Sequence, residues 1–157
     1  MAIGTGTAAP DFSLLDQDGN AHTLSEHKGR NVILAFFPAV FSGVCDTEMC
    51  TFRDSLSELG DANADVIGVS VDARFANKEF ATKHSLPFPI LSDYDRSAIR
   101  AYDVVTSNFA GMDGYDAATR SVFVIDKSGE IQYVWEAPSP PTEPPYDEVK
   151  AAAAKLG

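Results

Sequence analysis

The chain has 157 residues, 45 % of them hydrophobic, which is enough for one sizeable core and too little for two, so a single domain over residues 1–157 is expected. Twelve basic against 23 acidic residues give a formal charge of −11, which repels phosphate backbones and anionic membranes and argues against a nucleic-acid or membrane partner. No run approaches the roughly 18 apolar residues of a membrane helix, and "MAIGTGTAAPDF" has neither the basic start nor the apolar block of a signal peptide, so a soluble, cytoplasmic protein is expected. The acidic balance reads as a well-solvated surface, with a high-salt type of surface as the second reading.

In chain order, "NVILAFFP" is the first run of strand character, continuous, rich in aromatic and β-branched residues and stopped by Pro38. Behind it, Met49, Phe52, Leu56 and Leu59 recur at helical spacing, with Ser42 where an N-cap belongs and Gly60 just past the end. This spacing predicts a helix over residues 43–59. "DVIGVSV" is a second buried strand, and strand, helix and strand in roughly 40 residues make a βαβ unit with parallel pairing and a right-handed crossover. "ARFANKEFATKHS" and "DRSAIRAY" read as helices, and "RSVFVID" and "EIQYVWE" as a hairpin closed by a short turn. The Pro-rich "APSPPTEPP" reads as a stiff surface connection, followed by an Ala-rich helix ending at Leu156. A parallel βαβ unit, an antiparallel hairpin and a closing helix form an α/β sandwich with a central mixed sheet flanked by helices, the order of the thioredoxin fold.

Both cysteines fall in "FPAVFSGVCDTEMC", and without a signal peptide any bond they make is expected to be transient. The elements place Cys45 in the first turn of a helix that leaves the C-terminal end of a strand, the edge where α/β sheets carry their sites. The unpaired N–H groups and the roughly half positive charge of a helix N-terminus favour thiolate over thiol. A lowered pKa and a nucleophilic role are therefore expected for Cys45; by position alone it suits a small core residue equally well. His22, His27 and His84 are scattered without metal-ligand spacing, and neither metal nor cofactor is expected. Arg53, next to Asp54, reads as a surface ion-pair member.

Pro38, Ser42 and Cys45 form P-x-x-x-[ST]-x-x-C, which resembles the active-site signature of peroxiredoxins. "CDTEMCTFRD" is similar to the C-x-x-E-x-C-x-F-R-D segment of the bacterioferritin comigratory protein, or peroxiredoxin Q, group. "APDFSLLDQDGNAHTLSEHKGRNVILAFFP" looks like the N-terminal segment of that group, and "RSVFVIDKSGEI" like the one that carries its active-site arginine. The resemblance implies a thiol peroxidase that reduces hydrogen peroxide or organic hydroperoxides. In it Cys45 attacks the O–O bond, Ser42 donates to sulfur or peroxide, Arg120 stabilises negative charge, Glu48 orients Arg120 and Pro38 shields the pocket. Cys50 would resolve the oxidised sulfur as an intramolecular disulfide, which a thioredoxin-like donor would reduce. A monomer or a homodimer is equally compatible.

Two departures stand beside the resemblance. Gly43 and Val44 replace the Pro-Gly usual before the cysteine, and "FSGVC" looks more like the typical two-cysteine and AhpE-like branches. No cysteine follows Cys50, so the typical two-cysteine mechanism is excluded, while a one-cysteine AhpE-like peroxidase recycled by external thiols remains the alternative. A thiol-disulfide oxidoreductase is a further alternative, although it normally uses C-x-x-C. A redox sensor would oxidise once and not turn over.

Overall fold

The computed structural model describes residues 2–157. Its frame is a seven-stranded sheet built around the three apolar runs: β3 (Asn31–Phe36), β4 (Ala64–Ser70) and β8 (Ser121–Ile125). Short strands β1 (Ser13–Leu15), β2 (Ala21–Thr23) and β5 (Ile90–Ser92) extend one side, and β9 (Ile131–Glu136) the other, in the order β2-β1-β5-β4-β3-β8-β9. β3 pairs parallel with β4, and β4 with β5, whereas β8 runs antiparallel to both β3 and β9. The βαβ unit, the hairpin and the mixed sheet expected from the sequence are thus all present.

Continuous apolar runs follow from burial on both faces of the sheet. Ile33, Ala35 and Phe37 pack on one side with Met49, Phe52, Phe80 and Val149, while Val32, Leu34 and Phe36 pack on the other with Ile99, Tyr102 and Phe123. The first layer is built by α1 (Val44–Asp54), α2 (Leu56–Asp61), α3 (Arg74–Lys83) and α5 (Tyr146–Leu156). The second includes α4 (Ser97–Ala101). Gly68 lets β4 approach the first layer closely, because a Cβ there would lie 2.8 Å from Ile90 Cδ1 and 3.3 Å from Met49 Sδ.

The crossover differs from the single helix expected over residues 43–59. It breaks into α1 and α2 at Ser55, whose hydroxyl donates to the Thr51 carbonyl at 2.9 Å. A serine hydroxyl bonded back to the preceding turn competes with the helical ladder and bends it. Gly60 lies inside α2, not beyond its end. β1, β2 and β5, and a separate ribbon of β6 (Val105–Thr106) and β7 (Ala117–Ala118), are two or three residues long and leave no periodic trace in the sequence. Among the described residues no helix is long and apolar enough to cross a membrane.

Candidate active site

β3 ends beside β4, with the Phe37 N–H donating to the Val69 carbonyl at 3.0 Å. From there Pro38 and the next five residues turn the chain into α1. The turn needs unusual backbone: Phe41 has φ +62° and Gly43 φ +83°. Gly43, not Ser42, occupies the N-cap position, and no side chain caps the helix. The Ser42 hydroxyl, released from capping, donates to Cys45 Sγ at 2.7 Å.

Cys45 is fully buried in the first turn of α1, and the Ala39 N–H and the Arg120 guanidinium also donate to its sulfur. Three donors from two segments, the turn before α1 and the chain entering β8, thus converge on one sulfur. Arg120, just before β8, is itself buried; its Nη1 donates to Glu48 Oε2 at 2.6 Å and its Nε to the Pro140 carbonyl at 3.1 Å. Glu48 lies one helical turn after Cys45 and is wholly buried. Cys50 is also on α1, half-buried and not in a disulfide. Pro38 and Arg120 line a cavity of about 180 Å³ together with Phe109, Thr119, Pro138 and Pro140.

The electrostatics correct one expectation. Burial pushes the Cys45 thiol up, not down, because removing the thiolate from water outweighs the pull of Arg120, Ser42 and the Ala39 N–H, and Glu48 adds to the rise. Burial likewise pushes Glu48 up to about 7 against the opposing pull of Arg120. Burial disfavours the charge on Arg120 too, but Glu48 and the Cys45 sulfur outweigh it and raise its pKa. The guanidinium is therefore a permanent cation shared between carboxylate and sulfur.

Ser42, Cys45, Glu48 and Arg120 thus form one connected network, with Pro38 on the wall of the adjoining cavity and Cys50 on the same helix. Sequence reasoning missed the Ala39 N–H and the Pro140 carbonyl. A backbone donor has no side-chain signature. For Pro140 a signal existed: its Pro-rich segment is the one compositional break in the chain, and although exposed it fixes the orientation of Arg120. Arg53 pairs with Asp54, as expected, and its Nη1 also donates to the His84 carbonyl.

The family model described as AhpC/TSA matches residues 5–134. The chain belongs to the AhpC/TSA family. Within it, the chloroplastic peroxiredoxin Q of rice, Oryza sativa subsp. japonica, is 40 % identical over 133 residues, which are 85 % of this chain and 59 % of the relative. Peroxiredoxin Bcp of Bacillus subtilis is 37 % identical over 137 residues and 86 % of each chain. This AhpC/TSA chain thus spans 59 % of the length of the rice relative. The solved structure of peroxidoxin BcpB from Mycobacterium tuberculosis matches with a TM-score of 0.87 at 27 % identity, over 99 % of both chains. The resemblance to the peroxiredoxin Q group is met by these AhpC/TSA relatives, and the mixed α/β sandwich is the thioredoxin-like fold.

Proposed function

We propose that the protein is a thiol-dependent peroxidase acting through Cys45, within a single domain. The observation that carries this reading is the convergence of the Ser42 hydroxyl, the Ala39 N–H and the Arg120 guanidinium on one buried sulfur at a helix N-terminus. Attack on a peroxide needs a thiolate, donors for both oxygens and exclusion of water. In this reading the same three donors that favour the thiolate also hold the oxygens as the O–O bond stretches.

In the first step the Cys45 thiolate attacks one peroxide oxygen. The S–O bond forms, the O–O bond breaks, and the departing alkoxide or hydroxide takes a proton to leave as alcohol or water. Cys45 becomes a sulfenic acid. In the second step Cys50 sulfur attacks Cys45 sulfur, an S–S bond forms, and the hydroxyl leaves as water. A thioredoxin-like dithiol returns both residues to thiols and is itself oxidised to a disulfide. In this reading Arg120 stabilises negative charge, Glu48 orients Arg120, and Pro38 shields the pocket. A reducing compartment such as the cytoplasm suits a cycle that begins from two thiols. Either a monomer or a homodimer meets these requirements.

The decisive experiment is Cys45→Ser with a thiol reductant present. Peroxide consumption should vanish while the thermal transition stays cooperative; a variant that keeps most of its turnover sinks the assignment.

A further inference from the structure

The helix that carries both cysteines is held near both ends by one residue of a different helix. His84 sits at the C-terminal end of α3. Its ring Nε2 lies 3.0 Å from Oδ2 of Asp46, in the first turn of α1, while its backbone carbonyl accepts from Arg53 Nη1, in the last turn, at 2.6 Å. The His84 side chain is 16 % exposed and that of Asp46 23 %. The imidazole also packs edge-on against Phe80, 5.0 Å away and wholly buried. The second oxygen of Asp46, Oδ1, is buried with no hydrogen-bond partner among the described residues.

Asp46 directly follows Cys45 in the chain. Any unwinding that carries Cys45 toward Cys50 pulls Asp46 off the His84 ring. Two effects oppose each other in that motion: the contact with His84 is lost, and a half-satisfied carboxylate regains solvent on both oxygens. The C-terminal end of α1 need not move, because the hold of Arg53 on the His84 carbonyl lies beyond the turns that must open.

We propose that Asp46 and His84 are positioning residues for the resolving step, forming a catch on the first turn of α1. The catch sets how often the oxidised helix opens, and so how Cys45 sulfenic acid divides between two fates. One is condensation with Cys50, forming S–S and releasing water; the other is attack on a second peroxide molecule, which adds an oxygen and gives sulfinic acid. Neither residue touches the reacting atoms. The proposal rests on the reading of Cys50 as the resolving residue.

The test uses the full chain with His84→Asn, Asp46→Asn and both together. In the reduced protein, amides 44–50 should exchange roughly tenfold faster in His84→Asn, the scale expected for losing a hydrogen bond to a charged group, with β3 and β8 as protected as in the parent. The disulfide-forming phase after peroxide should accelerate by a similar factor, and the sulfinic fraction under excess peroxide should fall. Asp46→Asn also loses an anion from the first turn of a helix, so His84→Asn is the decisive single variant. The double variant should show less than the product of the two single effects, since both remove one contact. Parental exchange and resolution rates in His84→Asn, independent effects that multiply, or loss of protection in β3 and β8 as well would each overturn the catch. Failure of the underlying reading has a different mark: the parent itself then shows no disulfide by intact mass, which removes the role of the catch in resolution too.

Discussion

Cys45 and Cys50 lie on one helix, α1, the first sealed from solvent and the second half-buried, with neither in a disulfide. Five residues of regular helix separate two Cα atoms by about 8.7 Å, from a rise of about 7.5 Å and a rotation of about 140°. A disulfide tolerates at most about 7 Å. The folded helix therefore holds Cys45 against Ser42 and at the same time keeps Cys50 out of its reach. Oxidation should lower amide protection within residues 43–53, most of all over the first turns of α1 up to Cys50, with β3 and β8 changing little. Hydrogen exchange on reduced and peroxide-treated protein checks this, and a disulfide formed with helix protection intact would refute the unwinding.

Replacing Cys50 by Ser should leave the first oxidation in place and remove the intramolecular disulfide. Under excess peroxide the variant should gain two oxygens by intact mass as Cys45 reaches sulfinic acid, whereas the parent loses two hydrogens. The same loss of two hydrogens in both proteins would assign resolution elsewhere. Full turnover of the variant with an external thiol would favour the one-cysteine, AhpE-like alternative.

Because burial raises the pKa of the Cys45 thiol, the reactive thiolate is the minority form below that pKa, and the rate of oxidation should climb as pH rises toward it. Arg120 pulls this pKa down, so Arg120→Ala should shift the climb to higher pH. It should also lower the plateau rate by about 10²–10³-fold, the usual effect of deleting one preorganised donor. Stopped-flow rates across pH separate the two effects. A rate within a few-fold of the parent at every pH would make Arg120 structural only.

Glu48→Gln separates charge from orientation. The Glu48 carboxylate raises the Cys45 pKa, so its removal should move the thiol downward. The amide also holds the guanidinium less firmly than the charge-assisted bond at 2.6 Å, so the pH-independent rate should fall. Ultraviolet absorbance of the thiolate reports the first effect and stopped-flow oxidation the second. In the parent, Glu48 with a pKa of about 7 gains a proton on acidification, which removes part of the upward push on Cys45 below that pH. An unchanged thiol titration in the variant would show that the two groups are not coupled.

Long, doubly buried elements were legible in the sequence because their own composition reports their environment. β3, β4 and β8 are continuous apolar runs, since a strand covered on both faces has no polar side to alternate with. The place of Cys45 at the start of a helix leaving a strand followed from the same local patterns, and with it the network of Ser42, Glu48 and Arg120 that the resemblance implied. The break at Ser55 was not legible, because it depends on whether one hydroxyl turns back to the Thr51 carbonyl. For Ser42 the local pattern suits a cap or a donor equally well; the resemblance implied the donor, and with Gly43 at the N-cap the hydroxyl does lie on the Cys45 sulfur.

Sequence by itself determined the central strands, most of the helices and the position of the thiol through short-range periodicity and residue chemistry, and named the partners of the thiol through the resemblance. Only the tertiary structure decided how those partners meet. Arg120 is aimed by Glu48, 72 positions away, and by the carbonyl of Pro140, 20 positions away, contacts that no local pattern encodes. The direction of the Cys45 pKa was settled there as well, because a helix end pulls a thiol down wherever it occurs, while the opposing cost of burial exists only once the chain has closed over the sulfur.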